Sequence, residues 1–205
     1  STLMKVLSGV YPHSEFEGEI ILNGKKVEFK NIHDSEDAGI GIIYQELALV
    51  PDMTVYENIM LGHEITRGMT IDVQEMIKRS TELLKRVRLS INPTSKVKDL
   101  GIGKRQLVEI AKALSRNVQL LILDEPTAAL NEDDCQNLLE ILRELKTQGV
   151  TSIMISHKLK EVLSIADTIT VLRDGQTICT LDRQKDVVNE QVLIKHMVGR
   201  SIENI

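Results

Sequence analysis

The stretch Leu120-Leu121-Ile122-Leu123-Asp124-Glu125-Pro126-Thr127 decides how the rest of the sequence is read. Four apolar residues in succession, without alternation, predict a strand buried on both faces, as in a parallel sheet. Two carboxylates then arrive together at its carboxyl end. A carboxylate buried without a partner costs several kcal/mol. Asp124 and Glu125 are therefore expected where the strand emerges, at the rim where open α/β sheets bind ligands. A metal-bound ligand would occupy both, one acid holding the ion and the other polarising a water. A strand followed by an acidic turn is the plainer alternative, and the rest of the chain decides between them.

The 205 residues suffice for one α/β domain with a core, or for a domain with a small insert. At 42% hydrophobic and 27% charged, the composition is that of a folded globular chain. A net charge of −5, with three Tyr, two Phe and no Trp, argues against a nucleic-acid surface of basic stripes and stacking rings. No apolar run reaches the roughly 18 residues of a membrane span, and the opening stretch carries no signal-peptide pattern. Cys135 and Cys179 match no metal or redox spacing and read as reduced thiols of a cytoplasmic protein. Ser1 opens the sequence already inside a helical pattern, with Leu3, Val6 and Leu7 on one face, so the chain reads as cut.

Along the chain, residues 1–9 read as a helix stopped by glycine. Residues 18–22 and 26–29 read as a hairpin turned at Asn23-Gly24, and residues 40–44 as another apolar strand ending at Gln45-Glu46. From Val50 to Leu89 the pattern is helical, with a turn at Arg67-Gly68 and a capping box of Asp72 with Glu75. Residues 91–98 are a loop. Gly103 opens a helix with Leu107, Ile110, Ala111 and Leu114 on one face. After the carboxylate strand, Asn131 caps a helix carrying Leu138, Leu142 and Leu145. Residues 151–155 form a strand ending at Ser156-His157, a short helix carries Leu159, Val162, Leu163 and Ala166, a hairpin turns at Asp174-Gly175, and residues 189–198 form a final helix.

Six features now stand in order: Ser1-Thr2, Gln45, the helical insert, Gly101-Ile102-Gly103-Lys104, Asp124-Glu125 and His157. Alone, Gln45 reads as a surface polar residue and His157 as a capped strand end. In this order and spacing the chain resembles, over essentially its whole length, the nucleotide-binding subunit of ATP-binding-cassette (ABC) transporters. The resemblance implies an α/β fold of the P-loop NTPase (RecA-like) type: a mostly parallel sheet with helices, an inserted α-helical subdomain and a partial antiparallel β region. Residues 1–205 would be one nucleotide-binding domain fragment, with the catalytic core at 1–49 and 117–205 and the helical subdomain with the signature region at 50–116.

The same resemblance implies ATP and Mg²⁺, and assigns roles. Ser1-Thr2 would be the tail of the phosphate-binding loop, whose glycines and lysine would lie upstream of residue 1. Ser1 would give a hydroxyl to Mg²⁺, and Thr2 would touch a phosphate. Gln45 would reach Mg²⁺ and the attacking water and link the core to the helical subdomain. Asp124 would hold Mg²⁺ through water, Glu125 would orient or deprotonate the attacking water, and His157 would hydrogen-bond the γ-phosphate. Gly101-Ile102-Gly103-Lys104 lacks the preceding strand and the spacer of a phosphate loop; it stands where the family has L-S-G-G-Q. Leu100 and Gly103 fit that signature, but Gly101 replaces serine, Ile102 glycine and Lys104 glutamine, leaving the helix N–H groups, with Lys104, to meet the phosphate of a partner cassette. Asn131 likewise replaces the usual aspartate. These departures argue against a fully active composite site and are compatible with an asymmetric pair of sites.

Gln45-Glu46-Leu47 through Val50-Pro51, then Glu57-Asn58-Ile59, Leu61-Gly62 and residues 108–114, resemble the sugar importers of the family, and in particular the first of two fused cassettes. The expected function is the ATPase component of an importer of a sugar, a monosaccharide, peripheral at the cytoplasmic face of the plasma membrane. Its expected partners are a second cassette, membrane permease subunits and, indirectly, a periplasmic or lipoprotein sugar-binding protein, with no nucleic acid. This stretch alone is expected to bind ATP weakly or not at all, not to hydrolyse it, and to self-associate. The alternatives are a cassette with a degenerate site that acts as a coupling platform, and a soluble ABC protein of repair or translation; the compact insert without sustained heptads disfavours the latter.

Overall fold

The computed structural model describes residues 2–199; Ser1 and residues 200–205 lie outside the described residues. The chain divides into two compact units, Ser1–Ile155 and Ser156–Ile205.

The first unit opens with α1 (Thr2–Leu7). The hairpin of β1 (Ile20–Leu22) and β2 (Lys25–Val27) turns at Asn23 and Gly24, whose φ values of 51° and 75° are those a two-residue primed turn requires. A helix the sequence reading did not anticipate follows, α2 (Ile32–Asp37); the Asn31 side chain caps it by accepting from the Asp34 N–H at 3.1 Å. Its 6 residues are too few to display a helical period. Next come β3 (Ile40–Ile43), α3 (Val55–Met60), a minimal ribbon of β4 (Thr66–Arg67) and β5 (Thr70–Ile71), α4 (Val73–Arg86) and α5 (Ile102–Leu114). The expected turn at Arg67-Gly68 is thus the tip of a small hairpin, and α5 starts at Ile102, with Gly101 rather than Gly103 at its boundary.

The capping box is at a different helix from the one expected. Asp72 does cap α4, accepting from the Glu75 N–H at 3.0 Å, but its own N–H is already given to the Ile65 carbonyl at 2.8 Å. The Glu75 carboxylate turns instead to Lys78 and Arg79. The reciprocal box forms at α3, between Thr54 and Glu57.

Then β6 (Leu120–Asp124), α6 (Glu132–Thr147) and β7 (Thr151–Ile155) complete the unit. The sheet is parallel, in the order β3-β6-β7, with Ile40 to Ile43 against Leu120 to Leu123, and Leu120 to Asp124 against Thr151 to Ile155. Central β6 is the strand the apolar run predicts: Leu121, Ile122 and Leu123 are fully buried. Each such side chain contributes about 1.5–3 kcal/mol by leaving water. Ile122 joins Met4, Phe29 and Ile40 in one core, and Leu138, Leu139, Ile141, Leu142 and Leu145 of α6 are buried as well.

In the second unit, α7 (Leu159–Ile165), β8 (Thr168–Arg173), β9 (Gln176–Asp182) and α8 (Glu190–Val198) follow in order. The hairpin turns at Asp174 and Gly175, both with positive φ, and a bulge interrupts its register at Val171 and Leu172. Ile169, Val171 and Leu193 form its core, packed by Leu159, Val162 and Leu163. Among the described residues, no helix is long and apolar enough to cross a membrane.

Candidate functional site

Parallel register brings two polar residues to the same level of the sheet rim. Ile43 of β3 pairs with Leu123 of β6. Gln45 stands two residues beyond the first, and Glu125 two beyond the second. Both side chains line one cleft of about 330 Å³, together with Glu46, Leu47, Ile102, Gln106 and residues 126 and 128–130. One wall is the segment leaving β3, another the turn leaving β6, and the third is the first turn of α5. The mouth of a parallel sheet at its carboxyl ends is where α/β proteins hold ligands.

Glu125 is held there in an uncommon conformation. Its φ is 47°, in the left-handed region that a residue with a Cβ enters at a cost of about 1–2 kcal/mol. Its N–H donates to the Ile155 carbonyl at 2.9 Å, and its carbonyl accepts from the Ala128 N–H at 3.1 Å. These bonds turn the chain sharply off β6, so that the carboxylate reaches the cleft rather than continuing the pleat. Strain of this kind is typical of functional residues. Asp124, one residue earlier, is the half-buried last residue of the strand, paired with Ile155.

Gly101 is the N-cap of α5, with φ −65° and no side chain to cap the helix. The helix start therefore offers uncapped backbone N–H groups. The guanidinium of Arg105 donates to the carbonyls of Leu100 at 2.9 Å and Lys98 at 2.8 Å and fastens the loop ahead of it. Lys104 is exposed, whereas Gly103 is buried against Asp134 of α6. Gly101, Gly103 and Lys104 thus flank Ile102 on the turn that borders the cleft, and Ile102 is the residue that lines it.

Of the other expected residues, Thr2 is the exposed first residue of α1, and Ser1 lies outside the described residues. His157 follows β7 by two residues and belongs to the second unit. The sequence reading missed Gln106, a cleft residue that is 6% exposed, and Glu109, 7% exposed one turn further along α5. Burial holds the Glu109 carboxyl above its usual range, against the opposing influence of Lys112 and the Ala48 backbone. The apolar period of α5 assigns both to an outer face.

Among the described residues, no three His, Cys, Asp or Glu side chains are grouped to hold a metal ion. Mg²⁺ takes one or two carboxylates and completes its shell with water and substrate phosphates rather than with a protein cage. Asp124, the last residue of β6, and Gln45 carry oxygen donors of the type that ion accepts.

A family described as "ABC transporter" matches residues 1–128. The L-arabinose transport ATP-binding protein AraG of Geobacillus stearothermophilus is 56% identical over 204 residues, covering 100% of this chain and 40% of the relative. The xylose import ATP-binding protein XylG of Geobacillus kaustophilus is 54% identical, with 100% and 40% covered, and that of Escherichia coli K12 is 54% identical, with 98% and 39% covered. The chain spans about 40% of the length of these relatives. Among solved structures, the ADP conformation of MJ1267, an ATP-binding cassette of an ABC transporter, superposes with a TM-score of 0.80 over 97% of this chain and 83% of its own. At 24% identity, that likeness speaks for the fold. The cbiO1 protein of Clostridium perfringens, part of the ABC transporter complex cbiONQ, gives a TM-score of 0.74 at 26% identity, covering 88% of this chain and 71% of that one.

Proposed function

Since this chain belongs to the ABC transporter family, we propose that it serves as an ATP-binding and hydrolysing component of a sugar importer. The observation that carries the reading is the juxtaposition of Gln45 and Glu125 across one cleft beside the start of α5. The arabinose and xylose relatives favour transport over repair or translation, and point to a pentose as the first sugar to test.

In this reading Glu125 holds the attacking water and accepts its proton, and the strained turn fixes where that carboxylate points. Phosphoryl transfer requires positioning and charge stabilisation more than covalent chemistry. Asp124, with Gln45 and the Ser1 hydroxyl, would hold Mg²⁺, which would supply charge neutralisation to the phosphates. Gln45 joins the sheet rim to the helical segment and so reports occupancy of the cleft to α3 and α5. Thr2 and His157 are assigned to phosphate oxygens, and Gly101, Gly103 and Lys104 to the phosphate of a nucleotide held by a second cassette. Residues 1–49 and 117–205 are read as the catalytic core and 50–116 as the helical subdomain. A second cassette, permease subunits and a sugar-binding protein are the partners, with the chain peripheral at the cytoplasmic face of the membrane.

A second reading has its own support. Gly101 brings no hydroxyl to the helix start, so the site completed by this turn would be the weaker of two, and the cassette would act chiefly as a coupling platform. The test is ATP turnover by the protein carrying this chain, reconstituted with its permease and binding protein, with pentoses, hexoses and no sugar compared. Turnover stimulated by a pentose is expected. Turnover indifferent to every sugar contradicts the importer reading.

A further inference from the structure

Ser8, just past the end of α1, is a junction of the first unit. Ser8 and Ser35 are each only 2% exposed. The Ser8 N–H donates to the Met4 carbonyl at 2.8 Å, and its hydroxyl to the Lys5 carbonyl at 3.1 Å. The Ser8 carbonyl lies 2.8 Å from the Ser35 hydroxyl of α2, which is equally close to the Ile32 carbonyl. The next residue, Gly9, has φ 72°, and a Cβ there would lie 2.3 Å from the Asn31 carbonyl oxygen. The end of α1 and the start of α2 are therefore packed without slack. One further bond reaches this junction from another direction: the Tyr44 hydroxyl donates to the Ser8 Oγ at 3.3 Å, across 36 residues of sequence.

Tyr44 directly follows β3 and directly precedes Gln45, and it is half-buried. A phenylalanine would cover the same apolar surface without bringing a hydroxyl that needs a partner. The Ser8 hydroxyl already has its acceptor in Lys5, so the end of α1 does not need Tyr44 to satisfy it. What the bond adds is direction. The ladder between β3 and β6 ends at Ile43, and Gln45 stands beyond it. The residue between them is tied by its side chain to α1, the helix whose first residue is Thr2. Because Ser8 is itself held by α1 and α2, the anchor is a rigid one.

We propose that Tyr44 is a positioning residue: its hydroxyl, held by Ser8, sets where Gln45 stands relative to α1, and so relative to the phosphates that Thr2 would meet. The proposal rests on the reading of Gln45 and Thr2 as residues of an ATP site. It assigns the alignment of Gln45 to a single side-chain hydrogen bond inside the first unit, remote from the nucleotide.

Tyr44→Phe, Ser8→Ala, their double variant and Ser35→Ala are compared with the parent protein by steady-state ATP turnover, backbone amide exchange and urea midpoint. Tyr44→Phe removes one oxygen atom. It is expected to lower kcat by about fivefold at constant KM for ATP, and to speed exchange in residues 45–47 by about threefold while leaving β6 unchanged. Ser8→Ala should do the same, and the double variant should lose no more than either single change. Ser8→Ala also carries the comparison if Tyr44→Phe does not fold. Ser35→Ala deletes an equally buried hydroxyl from the same junction without touching Tyr44. It should lower the urea midpoint and leave kcat within about twofold of the parent. Tyr44→Phe with the parent's kcat or the parent's exchange in residues 45–47 overturns the proposal. So do additive losses in the double variant, or a kcat for Ser35→Ala as impaired as that of Tyr44→Phe. A parent protein without ATP turnover would defeat the functional reading instead, and the exchange data would still decide the tether.

Discussion

Gly103 and Asp134 touch where the starts of α5 and α6 meet: a Cβ placed on Gly103 would lie 2.4 Å from the Asp134 Oδ2. Asp134 is not free to withdraw without loss. Its carboxylate accepts from the Asn131 side chain at 3.0 Å, and its N–H donates to the Asn131 Oδ1 at 2.8 Å. The glycine is therefore a packing requirement as well as part of a signature. Gly103→Ala should destabilise the protein by about 1–3 kcal/mol, the usual cost of forcing atoms into a filled space. Asp134→Ala should absorb much of that cost in the double variant, so the two changes should be non-additive. Urea midpoints for the four proteins measure this; strict additivity would contradict the contact.

Glu125 at φ 47° predicts a separation of stability from activity. Glycine relieves the left-handed strain but loses more chain entropy on folding, and the two terms are both near 1 kcal/mol. Glu125→Gly should therefore unfold at the parent's midpoint or up to about 1 kcal/mol above it, while ATP turnover is lost. A large loss of stability would mean that the side chain holds the fold together and that the strain account is wrong.

The helical segment depends on its capping box. Thr54 N–H donates to the Glu57 Oε2 at 2.7 Å, and the Thr54 Oγ1 accepts from the Glu57 N–H at 3.4 Å. Thr54→Ala should cost about 1 kcal/mol, and Thr54→Ser much less. The check is the denaturant midpoint at constant slope. Equal costs for the two substitutions would show that the methyl group, not the hydroxyl, matters at this position.

His63 couples stability to pH. Its Nε2 lies 2.8 Å from the Ser115 Oγ, and its Nδ1 3.3 Å from the Leu61 carbonyl. Burial first, and then the Arg116 charge, hold its pKa below the usual 6.5, against the weaker pull of Leu61, Glu64 and Glu36. The fold thus favours the neutral ring. Its contribution is intact above the unfolded value and is lost as pH falls through the lower folded value. His63→Gln should flatten the decline in stability between about pH 7 and pH 5. Glu109 has the opposite sign: its raised pKa makes its contribution fall away as pH rises, so Glu109→Gln should gain stability relative to the parent at neutral pH. Parallel pH profiles for parent and variants would contradict both assignments.

The sheet could be read from residues because its signals are local. The unbroken run at Leu121, Ile122 and Leu123 could only be buried, Asn23-Gly24 could only turn tightly, and Asn131 and Asn189 cap the helices they precede. The placing of Gln45 and Glu125 together follows from parallel register, which the sequence suggests but does not align. Three features were hidden for physical reasons. α2 and the β4–β5 ribbon are shorter than the periods that reveal helices and strands. Gln106 and Glu109 look outward by helical spacing and yet are buried. The left-handed turn at Glu125 has no marker such as glycine to announce it.

The central claim is that Glu125 serves the attacking water. ATP turnover and ATP affinity, measured side by side in the parent protein and in Glu125→Gln, test it most directly. The expected result is a kcat lower by about a hundredfold or more, the usual yield of a positioned base, with affinity within about twofold of the parent. Hydrolysis by Glu125→Gln at the parent's rate would contradict it.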